Sequence, residues 1–362
     1  MKWFNFYGIR SVFIGFVIMI LLGGSSKADF TFGEPVNLET VIPVLETGYD
    51  FISCLSYDKL EMYIHSGQGH DTNLRVLKRE SENEDWRPPE DLGPIVNTAD
   101  DSGASISADG LTLYFNSNRT GGHGSWDIYM TTRITKNDPW GSPVNLGPKV
   151  NSSSSEAWPW LSADGLELYF HSWRPGGYGG VDIWVTRRAT KDESWGQAIN
   201  LGSEVNSSYD EYGPCISPDG LLLFLDTPAG GGYGRSDIRL AKRGSKTEPW
   251  DALMNLGPKV NGPGDDFAPC ISPDGSTLYF QTESGGSYAN FQASIVPIVD
   301  FNNDGNIDTD DLLIMICNWG TNETLCDIGP FAWGDGIVDI EDLKVFINYW
   351  EQENIIKLKN LQ

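Results

Sequence analysis

The chain has 362 residues, 50 acidic against 25 basic side chains, a formal charge of −25 at pH 7 and a pI near 4.3. Such an acidic excess argues against nucleic acid or an anionic membrane surface as partner, and permits cation binding. A 40% hydrophobic, 12% aromatic composition excludes a disordered chain, and 41 Gly with 20 Pro point to many turns between short strands.

Residues 1–28 read as an export signal. Lys2 and Arg10 form a positive start, residues 11–22 an apolar run too short to span a bilayer comfortably, and Ser26-Lys27-Ala28 a small-x-small cleavage site. An uncleaved N-terminal anchor is the alternative. No later segment is apolar enough to cross a membrane, so the expected location is secreted, extracellular or periplasmic, where disulfides persist. Five cysteines (Cys54, Cys215, Cys270, Cys317, Cys326) leave at least one unpaired within the chain.

Residues 29–298 carry an internal repeat. Ser107-Ala108-Asp109-Gly110 with Leu113-Tyr114-Phe115 recurs from Ser162, Ser217 and Ser272, and a worn copy starts at Ser56. The turn aspartates Asp58, Asp109, Asp164, Asp219 and Asp274 are separated by 51, 55, 55 and 55 residues. Each unit reads as four short strands. In the third, residues 157–161 form an inner strand and Asp164-Gly165 a tight turn. Residues 168–172 pair back, a glycine loop at 175–180 leads to a third strand at 182–185, and residues 195–201 close the unit. Four strands at this period predict an all-β propeller.

The last-strand motif starts at Trp86, Trp140, Trp195 and Trp250 and is missing from the fifth unit. It occurs instead at the N-terminus, where Phe32-Gly33-Glu34-Pro35-Val36-Asn37-Leu38 matches the stretch from Trp140 to Leu146. Five blades closed by that strand would leave no exposed sheet edge. A sixth, degenerate blade is the alternative. The pattern from Ser162 to Ile183, nearly repeated from Ser107 to Ile128, resembles the PD40 (WD40-like, TolB-type) bacterial propeller repeat. The first and fifth units depart from it, with Asn73-Leu74 and Asn290-Phe291 in place of Asp-Ile.

An acid stands eight residues before each turn aspartate: Asp50, Asp101, Glu156, Glu211 and Asp266. Recurrence in every blade favours a structural task, as it does for the turn aspartates, for Arg119 and Arg174, and for the repeated Trp. Function is expected where blades differ. His65, His70, His123 and His171 fall in the first three units, and Trp158, Trp160 and Trp173 in the third. With Tyr178 and Tyr233 these rings offer a platform for a sugar or a peptide. Cys54, Cys215 and Cys270 share one position, filled by Ser105 and Trp160 in the other blades. They read as small buried groups near the axis rather than as a Cys215–Cys270 bridge.

At Asp300 the pattern changes to loop-then-helix. Asp300, Asn302, Asp304, Asn306, Asp308 and Asp311 occupy ligand positions 1, 3, 5, 7, 9 and 12 of a calcium loop, with Gly305 at position 6. A second copy ends in Asp335, Asp339 and Asp342, but strict counting puts Phe331 and Trp333 at positions 1 and 3. Asp327 would serve only if the loop were lengthened. Two such halves, each with Asp at position 12, resemble a type I dockerin over residues 299–351, ahead of a tail at 352–362. That resemblance implies a small all-α Ca2+-binding domain and a cohesin-like protein partner, met by Thr309-Asp310 and Ile340-Glu341. Cys317 and Cys326 bracket the link between the halves and are expected to form a short-loop disulfide.

The leading expectation is an exported, non-catalytic binding propeller attached to a partner by this module. One alternative is a polysaccharide-degrading glycoside hydrolase or lyase, with Glu156 and Glu211 as the best carboxylate pair. The other is a periplasmic assembly scaffold with no ligand of its own.

Overall fold

The computed structural model describes residues 30–359, apart from 43, 46–49, 68–71, 285 and 324; the export signal, His70 and the end of the tail lie outside the described residues. Five antiparallel sheets, each with four strands around the axis, form a five-bladed all-β propeller. The inner strands are Asp50–Leu55, Asp101–Ile106, Glu156–Leu161, Tyr212–Ile216 and Asp266–Ile271. The second strands carry the densest apolar runs, and Leu113, Phe115, Leu168, Tyr169, Phe170, Leu223 and Phe224 are fully buried. Each blade covers the face of the next, so both faces of these strands must be apolar and the period-2 alternation disappears.

The ring closes as the repeat arithmetic predicts. Phe30, Thr31 and Phe32 pair antiparallel with Pro297, Val296 and Ile295, and Val36 and Asn37 with Gln292 and Phe291. Val36-Asn37 thus holds the place that Val144-Asn145 holds against Met130 and Tyr129. The outer strands are shorter than expected, two residues each in blades one to four. The repeated Trp stands outside the strand for a reason: Arg79, Arg133, Arg188 and Arg243 lay their guanidinium groups over Trp86, Trp140, Trp195 and Trp250 at 4.3 to 4.5 Å.

The same arginines tie turn to strand and blade to blade. Arg133, Arg188 and Arg243 donate through Nε to the carbonyls of the turn glycines Gly110, Gly165 and Gly220. Arg133 also pairs with buried Glu61 of the preceding blade, and Arg243 with Glu167. Lysines repeat the device at the turn aspartates: Lys136 reaches Asp58, Lys246 reaches Asp164, and Lys59 reaches Asp274. Burial opposes ionisation of Asp164, but bonds from Lys246, Ser162 and the Leu166 amide outweigh it and hold the carboxyl at about 2.

Blade five has neither this arginine nor this lysine, because its third strand, Ser287–Pro297, runs straight into the C-terminal segment. Two rings of that segment fill the place. Phe331 and Trp333 stack at 5.0 Å with 5° between planes. A Cβ on the turn glycine Gly275 would lie 2.7 Å from Trp333 and 2.9 Å from Phe331. On Gly220 it would lie 2.9 Å from Lys246. Trp333 Nε1 donates to Asp219 Oδ2 at 2.6 Å, completing the blade four to blade five seam in lysine's stead. Helices α1 (Thr309–Cys317) and α2 (Ile340–Lys359) pack Met315, Cys326, Ile328, Val338 and Phe346 into a separate small core.

Truncating Trp333 therefore weakens the propeller itself. Trp333→Ala is expected to cost about 3 kcal/mol in a urea melt followed on the propeller. Trp319→Ala, at a residue 43% exposed, should stay within about 0.5 kcal/mol.

Candidate functional site

The five acids ahead of the inner strands are buried and employed. Glu156 accepts from the Ser152 amide and hydroxyl at 2.8 and 2.6 Å and from Ser172 Oγ at 2.8 Å, and pairs with Arg174 at 2.9 Å. Asp101 pairs likewise with Arg119 at 2.7 Å. Glu211 accepts from the Ser207 amide and hydroxyl, but Ala229 replaces the arginine in its blade. Burial, unrelieved by a cation, pushes Glu211 up to about 7, against the bonds from Ser207. Glu156 and Glu211 are both fully buried, and neither lines the mouth cavity described below. The structure gives them the task of pinning the loop before the inner strand, which corrects the pairing offered from spacing.

Each inner strand also carries a bulge, at 102–105, 157–160, 212–215 and 267–270 in blades two to five. Trp158 and Ala268 adopt left-handed backbone there, with φ 54° and 51°, where blades two and four use Gly103 and Gly213. The bulge amide is held by a side chain of the preceding blade. Trp158 N–H donates to Asn116 Oδ1 at 3.0 Å, Gly213 N–H to His171 Nδ1 at 3.2 Å, and Ala268 N–H to Asp226 Oδ1 at 3.1 Å. At the two non-glycine residues, Trp158 and Ala268, this backbone is strained, and both line the cavity described next.

The cavity occupies about 520 Å³ on the side of blades three to five. Trp158, Tyr212, Phe267 and Tyr288 supply rings, and Asp210, Asp226, Asp265 and Arg235 supply charge. Phe267 meets Tyr288 edge-on at 5.3 Å, and His171 meets Tyr212 edge-on at 5.3 Å. Arg235 is engaged by Asp265 at 2.8 Å and by Glu283. Tyr212 Oη donates to Asp210 at 3.1 Å. Burial keeps His171 neutral, with its pKa down to about 3 and Nδ1 accepting from Gly213. Burial, with the Asp265 charge adding to it, raises Asp226 to about 7 despite the Ala268 amide.

Only part of the expected platform assembles. Trp158, Trp173 and Tyr212 gather around His171, whereas Tyr178 and Tyr233 are exposed and do not line the cavity. Trp160 turns inward and donates to the Ile216 carbonyl at 3.2 Å, beside Cys54, Ser105 and Ile271. Cys54, Cys215 and Cys270 are buried free thiols, and Cys215 Sγ accepts from the Ile271 amide at 3.0 Å. His65 stacks on Phe51 at 5.2 Å, and His123 is exposed. Spacing alone did not single out Asp226, Asp265, Tyr288 or the Arg79/Arg133/Arg188/Arg243 series. The last was visible as a 55-residue recurrence.

In the C-terminal segment Asp300 accepts from the amides of Asp304 and Gly305 at 3.1 and 2.8 Å. Asp311 accepts from those of Phe301 and Asp308 at 2.8 and 3.0 Å. The second half repeats this with Asp327 in the place of Asp300. Asp327 accepts from the amides of Asp335 and Gly336, and Asp342 from those of Ile328 and Asp339. The count slips because residues 330–333 are inserted between Asp327 and Asp335, and that insertion carries the Phe331–Trp333 pair. Asn302, Asn306 and Asp308 stand in loop one, and Asp339 in loop two takes the place of Asp308. The donor set is all oxygen, which suits calcium. No cluster of three or more His, Cys, Asp or Glu side chains is gathered as a metal site among the described residues, the carboxylates being turned onto backbone amides.

The expected Cys317–Cys326 disulfide is absent. Cys317 is exposed on α1, while Cys326 lies in the small core, near Asn318 Nδ2 at 3.8 Å, and burial pushes its thiol up to about 12.

No protein-family model and no curated protein matches this chain. Among solved structures it is similar to TolB from Acinetobacter baumannii, with 14% identity over 69% of this chain and 56% of that one and a TM-score of 0.43. It thus spans little over half of that protein. An α-L-arabinofuranosidase from Podospora anserina in complex with cellotriose is 14% identical over 74% of this chain and 96% of that one, with a TM-score of 0.49. For an endo-arabinase from Bacteroides thetaiotaomicron the figures are 15%, 74%, 97% and 0.48. No helix among the described residues is long and apolar enough to cross a membrane.

The raised Glu211 carboxyl sets a pH dependence. The unfolded chain loses this proton near its ordinary pKa, whereas the native state keeps it to about pH 7. The associated stability is therefore full below about pH 4.5 and is lost as pH rises through about 7. Glu211→Gln should flatten that decline in thermal melts, becoming relatively more stable toward pH 8. Parallel pH profiles for the two proteins would contradict the assignment.

Proposed function

We propose that this chain is an exported five-bladed propeller that binds a saccharide in its mouth cavity. Its two C-terminal loop–helix units then serve as a calcium-dependent, dockerin-like attachment to a protein partner of the cohesin kind. The observation that carries the binding reading is the cavity itself: four aromatic rings around a few polar groups, concave and of ligand size, at positions where the blades differ in sequence. Rings of this kind stack on the C–H faces of sugars, while carboxylates accept paired hydroxyls. Asp300, Asn302, Asp304, Asn306, Asp308 and Asp311 would hold one calcium. Asp327, Asp335, Asp339 and Asp342 would hold a second, with the Phe331–Trp333 insertion diverted to the propeller.

A second reading is glycoside hydrolysis, favoured by one observation. Asp226 holds its proton to about pH 7 while Asp265, ion-paired with Arg235, stands on the same cavity. Two carboxyl groups in unlike environments, one buried and one paired with a cation, are what acid and base roles require.

Binding on a neutral glycan panel by the full chain, weakened about tenfold or more by Trp158→Ala, would support the first reading. Release of reducing ends that Asp226→Asn abolishes would replace it with the second. For the tail, calcium at about a hundredfold over its Kd should add about 2.7 kcal/mol to the unfolding free energy of α1 and α2. Chelation should reverse the gain and Asp311→Asn should remove most of it; melts indifferent to calcium would overturn the attachment reading.

A further inference from the structure

Five side chains occupy one equivalent place on the second strands, facing the bulges: His65, Asn116, His171, Asp226 and Gln281. All five are buried. Where the bulge amide is held from this place, any acceptor serves: Asn116 does it for Trp158 and neutral His171 for Gly213. Asp226 does it for Ala268 with one oxygen only. A carboxyl is therefore more than the fold needs there, and it carries the burial cost that the four neutral groups avoid. Its second oxygen faces Ser236 Oγ at 3.5 Å, at the wall of the cavity.

The surroundings of that oxygen are one-sided. Asp210 and Asp265 line the same cavity, and the one cationic side chain there, Arg235, is spent on Asp265 and Glu283. Trp158, Tyr212, Phe267 and Tyr288 line the same cavity, Tyr212 as the cross-strand partner of Asp226. A buried carboxyl in a cavity walled by aromatic rings, with no cation of its own, is the chemistry that recognises an ammonium group.

We infer that the mouth cavity is built for a ligand bearing a protonated amine, with Asp226 as its counter-ion and the four rings as its walls. This rests on the saccharide reading and narrows it to sugars with a free amino group in place of a hydroxyl or acetamide. Binding transfers a positive charge next to Asp226 and drives its proton to solvent. The other charged or titratable groups around it do not take over that role: Asp265 is already paired with Arg235, Asp210 accepts from Tyr212, His171 is neutral, and Tyr288 is a phenol. For a permanently charged ligand such as choline, affinity should accordingly rise from about pH 6 to about pH 8, with proton release greatest at the lower pH and falling away as Asp226 ionises in the free protein.

The test uses the full chain and calorimetry in two buffers of different ionisation enthalpy. The probes are choline, its neutral isostere 3,3-dimethylbutanol, a fully deacetylated chitotriose and the triacetylated form. The inference predicts that choline and the deacetylated trimer bind about tenfold or more tighter than their neutral counterparts, with proton release. It predicts that Asp226→Asn removes this preference while the bulge stays bonded, as Asn116 keeps it in blade two. Unchanged melting of the variant at pH 6 verifies the fold. Equal affinities within each pair, no binding by either cationic probe, or an unaltered preference in Asp226→Asn would each overturn it. Binding of the triacetylated trimer alone would overturn the inference and leave the saccharide reading standing.

Discussion

A ring of repeated sheets always has one seam that the repeat does not supply, and the stability of every other contact depends on how it is closed. Here two separate parts of the chain meet at it. Phe30 to Asn37 adds the outer edge of the last blade, and Phe331 with Trp333 replaces the arginine and lysine that this blade lacks. The first closure works through backbone hydrogen bonds and leaves no edge for another strand. The second works through packing over Gly275, at φ 72° a position where a Cβ would strain the backbone as well as collide. The lysine–aspartate contacts at the other seams are half-exposed and individually weak, whereas the arginine–glutamate pairs Arg133–Glu61 and Arg243–Glu167 are buried; the indole–carboxylate bond to Asp219 takes the place of the lysine contact.

That join changes the standing of the C-terminal segment. It has its own core around Met315 and Phe346, yet the insertion that breaks its second loop is also what fixes it to blade five. Strict ligand counting sees a damaged calcium loop. The hydrogen-bond pattern shows the two loops folded alike, Asp327 standing where Asp300 stands, with four residues looped out to pack on the propeller.

The architecture was legible because it repeats: a 55-residue period, a displaced last-strand motif and a turn signature suffice to count blades and find the closing strand. The mouth was not, because its residues recur only as positions. Asp226 is unremarkable in sequence and becomes telling only when strand register sets it beside His65, Asn116, His171 and Gln281. For Glu156 and Glu211 the recurrence itself was the guide: conspicuous carboxylates at a fixed spacing are what a loop with unsatisfied amides requires. The disulfide misled because proximity along the chain does not say that one thiol, Cys326, is packed into the small core while the other, Cys317, stays exposed.

Trp160 stands at the position that three other blades give to a thiol, and its indole bonds across to blade four, leaving an axial void of about 20 Å³. The propeller is therefore a cup with a floor. A solute in the mouth cavity meets packed side chains from all five inner strands at the axis rather than open water.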